Sequence, residues 1–193
     1  MMKNLTTKTS KYFIYIIIAK IDKSCYNLQM KTLFIGGIKS GKSFNAEKYI
    51  LEQTNQKPLY LATTEFFDDE MQKKVAHHKS LRGDDFITLE EPLSLYEKLR
   101  KREEPVVVEC VSMWINNMLY HKKSYEQMRE EVQNLLTLKQ DVVFVINDVG
   151  ASVVSDNALV REFVNINGQL SQLIASGCEN VYHVVAGISS KIK

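Results

Sequence analysis

From Met30 onward, short apolar runs alternate with longer segments in which apolar residues recur every three or four positions. The short runs predict strands over Thr32–Gly36, Leu59–Thr63, Phe86–Leu89, Val106–Cys110, Val142–Asn147 and Val181–Ala186. The longer segments predict helices over Lys42–Gln53, Phe67–Lys79, Leu93–Arg100, Ser112–Tyr120, Ser124–Lys139 and Asp156–Ala175. Val106–Val108 and Val142–Ile146 do not alternate apolar with polar residues, so they read as central strands covered on both faces. In the last helix Leu159, Phe163, Ile166, Leu170 and Leu173 follow the helical period and are expected to face the sheet. Strands separated by helices imply βα units, hence an α/β fold with a mostly parallel twisted sheet and helices on both faces. No internal repeat and no long linker divides residues 30–193, which read as one domain.

Residues 1–29 follow a different pattern. The apolar run Tyr12–Ile18 is interrupted by Lys20 soon after it ends, and it is shorter than the ~20 residues a membrane helix needs. No stable membrane span is expected. Lys3, Lys8 and Lys11 ahead of that run resemble a poor signal peptide, but no small-x-small cleavage site follows. The favoured reading takes Met30 as the natural start, with 1–29 an extension of doubtful origin and without order.

Composition then narrows the classes. Apolar residues make up 45% and charged residues 25%, the balance of an ordinary globule. The net charge of +2 is unevenly placed: residues 1–30 carry five Lys against Asp22 alone, so the rest of the chain is slightly acidic. With only five Arg and no basic excess in that remainder, nucleic acid is not the expected partner. Three Cys with no CxxC spacing exclude a disulfide scaffold and suit a reducing, cytoplasmic setting.

Gly36-Gly37-Ile38-Lys39-Ser40-Gly41-Lys42-Ser43 matches GxxxxGK[ST], and it lies between a predicted strand and a predicted helix. Glycines let the backbone wrap phosphates with N–H groups turned inward. The helix that starts near Lys42 adds the positive end of its dipole. Lys42 is expected to reach the β- and γ-phosphates, and Ser43 to take one Mg²⁺ position. Such a metal site also wants a carboxylate at the end of a neighbouring apolar strand. Glu109, directly after three Val, is favoured over Asp148. The competing reading makes either acid a cap for the following helix.

His77-His78 lies on the predicted helix 67–79. Phe67, Met71 and Val75 form an apolar stripe; His78 falls on it, and His77 falls well off it. His78 is the packed candidate and His77 the free imidazole, able to attack phosphorus and hold a nucleotidyl group covalently. Two adjacent His that are simply solvated or packed are the bland alternative.

Taken together, these motifs resemble the bifunctional adenosylcobinamide kinase / adenosylcobinamide-phosphate guanylyltransferase family of cobalamin assembly (CobU type), over essentially all of residues 31–193. The resemblance rests on the phosphate loop, Tyr60-x-Ala62-Thr63, Asp68-Asp69-Glu70-Met71, His77-His78-Lys79-x-x-Arg82, Glu109-Cys110 and Asn117-x-Leu119. Asn147-Asp148-Val149-Gly150 and Gly187-Ile188-x-x-Lys191-Ile192-Lys193 complete it. It implies a P-loop fold of RecA-like connectivity, assembled as a homotrimer. It also implies phosphorylation of a corrinoid hydroxyl by ATP or GTP, then transfer of GMP from GTP onto that phosphate, with Mg²⁺. The family's guanylylated histidine maps to His77. Its nucleotide contacts map to the loop, to Ala62, Thr63 and Thr64, to Lys79, Ser80, Leu81 and Arg82, and to Glu90 and Glu109. Asp148 stands where the family has Glu, and Ile38-Lys39 replaces a small residue followed by Arg. Two rival readings remain: a P-loop kinase that has lost GMP transfer, and a RecA-like ATPase or switch.

Overall fold

A computed structural model of the chain describes residues 29–65, 84–150 and 154–193. Its sheet has seven strands: β1 (Lys31–Gly36), β2 (Leu59–Ala62), β3 (Ile87–Glu90), β4 (Val106–Glu109), β5 (Val142–Asn147), β6 (Asn180–Val185) and β7 (Ile188–Lys191). The helices are α1 (Lys42–Gln53), α2 (Leu95–Leu99), α3 (Val111–Tyr120), α4 (Tyr125–Leu136) and α5 (Ala158–Gly177). Across the sheet the order is β3-β2-β4-β5-β1-β6-β7, parallel throughout except for the β6–β7 pair. The mostly parallel P-loop α/β architecture of RecA-like type therefore stands.

The non-alternating runs are central, as their composition requires. In β4 and β5, successive residues go to opposite faces. Val106 and Val108 join Leu33, Leu61, Trp114 and Leu170 on one side; Val107, Val143 and Val145 join Phe34, Ala46 and Ile50 on the other. The first side is covered by α2 to α5 and the second by α1. Burying a Val or Leu side chain is worth roughly 1.5–3 kcal/mol, so these two layers carry the fold.

Local signals set the ends of the helices. Ser124 closes a capping box: its hydroxyl accepts from the Gln127 N–H, and the Gln127 side chain accepts from the Ser124 N–H. Asn157 accepts from the Leu159 N–H and starts α5. At the other end of that helix, Lys193 Nζ donates to the Ala175 and Ser176 carbonyls, groups a helix leaves orphaned.

Two expectations are corrected. Leu159 is 72% exposed and does not face the sheet. The buried line of α5 is Ile166, Asn167, Leu170 and Ile174. It includes a polar residue because Asn167 is paid in hydrogen bonds: it accepts from Ser112 and donates to the Asn147 carbonyl. The second correction is β7, which the apolar pattern did not predict. Val185 pairs with Ile188 across the two-residue turn Ala186-Gly187, whose φ angles of 51° and 82° are those of a primed hairpin turn. The predicted helix 67–79 lies outside the described residues.

Candidate active site

The phosphate loop leaves the end of β1 and delivers the chain to α1. Gly36 is buried, and a Cβ there would run into the Val184 carbonyl, so only glycine lets β6 close on the loop's first residue. Gly37, Ile38 and Lys39 stand out in solvent, with Lys39 at φ 57°. Ser40 N–H closes a turn onto the Gly37 carbonyl at 3.2 Å. Gly41 caps α1 at φ 91°, a conformation that strongly favours glycine.

The charged and polar groups of the loop are held but not saturated. Lys42 is 7% exposed, and its ammonium donates to the Gly37 carbonyl at 3.2 Å. The buried Ser40 hydroxyl oxygen has no hydrogen-bond partner among the described residues. Groups of this kind, gathered at a helix N-terminus, form a cradle suited to phosphate oxygens.

Glu109 meets the loop directly. The Ser43 hydroxyl donates to Glu109 Oε1 at 2.6 Å. The strands adjoining β1 are β5 and β6, so β4 lies one strand further than the sequence argument assumed, yet its carboxylate is the one that arrives. Asp148, just past the end of β5, is exposed and accepts from the Gly150 N–H in a local turn. A hydroxyl and a carboxylate fit Mg²⁺, which takes one or two protein oxygens and completes its shell with phosphate and water. Among the described residues no group of three or more His, Cys, Asp or Glu side chains converges to offer a different metal site.

Behind Glu109 the backbone is strained on purpose. Cys110 caps α3 at φ 66°, a left-handed conformation that costs a non-glycine residue roughly 1–2 kcal/mol. The turn breaks the chain sharply from β4 into α3 and leaves Glu109 at the strand tip. Thr63, fully buried, donates its hydroxyl between the Glu109 and Cys110 carbonyls, 2.9 Å from each. Burial, then the adjacent Glu109, push the Cys110 thiol up to about 11, so it is no nucleophile near neutrality.

The sheet register brings most of the described candidates together. Ala62 is opposite Glu90 on one side and Glu109 on the other, so the tips of β3, β2 and β4 form one rim. Thr63 serves there as a strut, with its hydroxyl committed to the backbone. Thr64 follows, half-buried, and Glu90 is exposed on the edge strand. His77, Lys79, Ser80, Leu81 and Arg82 lie outside the described residues.

Sequence reasoning gave no role to three supports, although Asn117 stands in one of the motifs that carry the resemblance. Asn117, fully buried, donates to the Thr63 carbonyl at 2.6 Å and to the Pro92 carbonyl at 3.2 Å, tying α3 to the rim. Ser112 accepts from the Asn147 N–H and donates to Asn167, fixing the end of β5. Asn45 reaches the C-terminal hairpin. Only the unusual placing of Asn117 and Asn167 among apolar residues signalled any of this.

A P-loop α/β protein with a carboxylate beside the loop serine is a nucleoside-triphosphate-binding protein by class. Its family is specific. Residues 32–192 match the family described as cobinamide kinase / cobinamide phosphate guanyltransferase, and the chain belongs to it. The bifunctional adenosylcobalamin biosynthesis protein CobU of Escherichia coli is 33% identical over 183 residues, covering 85% of this chain and 100% of that protein. Its counterpart CobP of Pseudomonas aeruginosa is 35% identical over 170 residues, covering 85% and 98%. Among solved structures, flagellar accessory protein FlaH from Methanocaldococcus jannaschii overlays with a TM-score of 0.47 at 10% identity, over 85% of this chain and 78% of that one. That likeness is too distant to bear on function.

Proposed function

We propose that this chain phosphorylates adenosylcobinamide with ATP or GTP and then transfers GMP from GTP to the resulting phosphate, through a guanylyl group carried on His77. The product is adenosylcobinamide-GDP, in the building of the nucleotide loop of cobalamin. The match of residues 32–192 to a family described by these two reactions carries the reading. The rival readings, a kinase without GMP transfer and a RecA-like switch, have no comparable support.

In the kinase step the loop N–H groups and Lys42 hold the triphosphate and neutralise charge developing on the γ-phosphoryl group. The corrinoid hydroxyl attacks that phosphorus, and the nucleoside diphosphate leaves. In the second step a nitrogen of His77 attacks the α-phosphorus of GTP, forming a P–N bond and expelling pyrophosphate. An oxygen of the corrinoid phosphate then attacks the same phosphorus, breaking the P–N bond and restoring the imidazole. Ser43 and Glu109 are the residues that would hold Mg²⁺, which when bound offsets phosphate charge. Lys79, Ser80, Leu81 and Arg82, with Ala62, Thr63, Thr64 and Glu90, complete the nucleotide surroundings in this reading. We read the assembly as a homotrimer working in the cytoplasm; no helix among the described residues is long and apolar enough to cross a membrane.

The test is incubation with α-labelled GTP followed by denaturation. Label should remain on the protein, survive alkali and leave in mild acid, as a phosphoramidate does. His77→Ala should lose labelling and GMP transfer while keeping much of the kinase step. His78→Ala should cost about 1–3 kcal/mol of stability and still label. Labelling kept in both variants would remove His77 from the mechanism.

A further inference from the structure

The phosphate loop is gripped from outside by the last hairpin of the chain. The Gly187 N–H donates to the Ser40 carbonyl at 2.7 Å. The Asn45 side-chain amide donates to the Gly41 carbonyl at 2.8 Å and to the Gly187 carbonyl at 3.2 Å. The approach is close enough that a Cβ on Gly41 would sit 3.0 Å from Gly187 Cα. Three hydrogen bonds therefore converge where the β6–β7 turn meets the last turn of the loop.

All three bonds take up carbonyls or tie the turn to them, and this has a geometric result. In a trans peptide the C=O and the following N–H point opposite ways. Holding the Ser40 carbonyl on the hairpin turns the Gly41 N–H away from it, toward the hollow of the loop. The Gly41 carbonyl, taken by the Asn45 backbone N–H at 3.1 Å and again by its side chain at 2.8 Å, aims the Lys42 N–H likewise. A glycine-rich loop without these ties would sample orientations with carbonyls facing the hollow, where they repel phosphate. The ordering cost would then be met at each binding event.

We propose that Asn45 and the Ala186-Gly187 turn are positioning residues for nucleotide binding: they hold the Ser40 and Gly41 carbonyls outward so that the Gly41 and Lys42 N–H groups are preset for phosphate. The proposal rests on the reading of residues 36–43 as the triphosphate site. Asn45 touches no reacting atom, and its effect passes through Ser40, Gly41 and Lys42.

The test uses the full chain and four variants. Asn45→Asp keeps the side chain's size but replaces its donors with an acceptor facing two carbonyls. Gly187→Ala adds a methyl where no atom lies within 4 Å, so its only burden is the φ of 82°. Lys48→Ala, one turn along α1 on an exposed side chain, is the control, and Lys42→Ala tests the site itself. The measurements are KM and kcat for GTP in each reaction, binding of a non-hydrolysable GTP analogue, and Tm without nucleotide. Asn45→Asp and Gly187→Ala should each raise the KM for GTP and weaken analogue binding by about tenfold, equally in both reactions. In both variants kcat and the corrinoid KM should stay near wild type, and Lys48→Ala should change nothing. If Lys42→Ala loses binding while Asn45→Asp and Gly187→Ala bind normally, whatever their Tm, the positioning role is refuted and the site stands. If Lys42→Ala binds normally, the site itself is wrong and the positioning role falls with it. Should Asn45→Asp fail to fold, Gly187→Ala decides alone.

Discussion

Two lysines at opposite ends of the sheet are almost equally buried and are held in opposite ways. Lys31, at the start of β1, is 4% exposed, and Lys42, just past its end, is 7% exposed. The Lys31 ammonium donates to the Leu138 and Gln140 carbonyls at 2.9 and 2.8 Å. Its backbone N–H is taken by Glu179. Burial lowers its pKa below the ordinary 10.5, against the pull of Asp141 and Glu179. Among the described residues Lys42 has one longer bond, to a carbonyl of its own loop. The amino end of the sheet closes its polar groups on fixed partners, whereas the carboxyl end keeps donors in reserve. Depth of burial alone does not distinguish a structural charge from a working one; the saturation of its partners does.

The comparison can be broken most forcefully at Lys42. Lys42→Ala should lower both reactions by about a thousandfold or more while the melting temperature moves little, as read by product formation and by thermal unfolding. A surviving kinase step would end the distinction. Next in size, Glu109→Gln should cost about a hundredfold in rate and raise the Mg²⁺ concentration needed for half-maximal activity. A rate that falls with no change in the Mg²⁺ titration would assign Glu109 another task. At the other end, Lys31→Ala should cost about 1–3 kcal/mol in urea unfolding, because two buried carbonyls lose their donor, with kcat per folded molecule unchanged.

Alkaline pH probes both ends with smaller effect. Burial raises the thiols of Cys110 to about 11 and of Cys178 to about 12, from an ordinary 9.0. Between pH 9 and those values the unfolded chain gives up protons that the native chain keeps. The stability these thiols contribute is full below pH 9 and is lost as pH rises toward 11–12, at no more than about 1.4 kcal/mol per pH unit for each. Lys31 acts in the opposite sense: the native chain releases its proton first, so its contribution grows with pH up to 10.5. Lys31→Met should therefore steepen the loss of stability above pH 9, measured as unfolding free energy against pH. The smallest effect expected is none. A chain beginning at Met30 should fold and act as the longer one does, since the Met30 N–H already donates to Asp141 Oδ1 and a terminal amine there meets the same carboxylate. Insolubility of that truncation would give the first 29 residues a structural part.

The loop at 36–43 was legible because its backbone conformation demands glycines at set places, and a sequence shows glycines. Glu109 was legible from the three Val before it, although its strand proved to be the second neighbour of β1. Strand adjacency is decided by long-range pairing, and no local pattern encodes it. Leu159 misled because helical periodicity says which residues share a face, not how far the sheet extends beneath that face. β7 went unseen because Ser189, Ser190 and Lys191 lack the apolar signature of a strand; the hairpin depends on its turn. Asn45 and Ser112 were invisible for one reason: each acts through a partner far along the chain.

The strand order has a consequence for how this molecule is made. β1 lies between β5 and β6, and the loop it carries is fastened by a turn at residues 186 and 187. Residues among the first to leave the ribosome thus wait for nearly the last. At roughly 5–20 residues per second, that wait is on the order of ten seconds or more. Until β5 is made, Leu33 and Phe34 have both flanks of their strand uncovered, and until β6 is made one, an open edge of the kind chaperones and stray strands bind. A premature stop at codon 186 would remove β7 and the turn together. The released chain would carry every residue of the phosphate loop motif, without the hairpin that takes the Ser40 carbonyl.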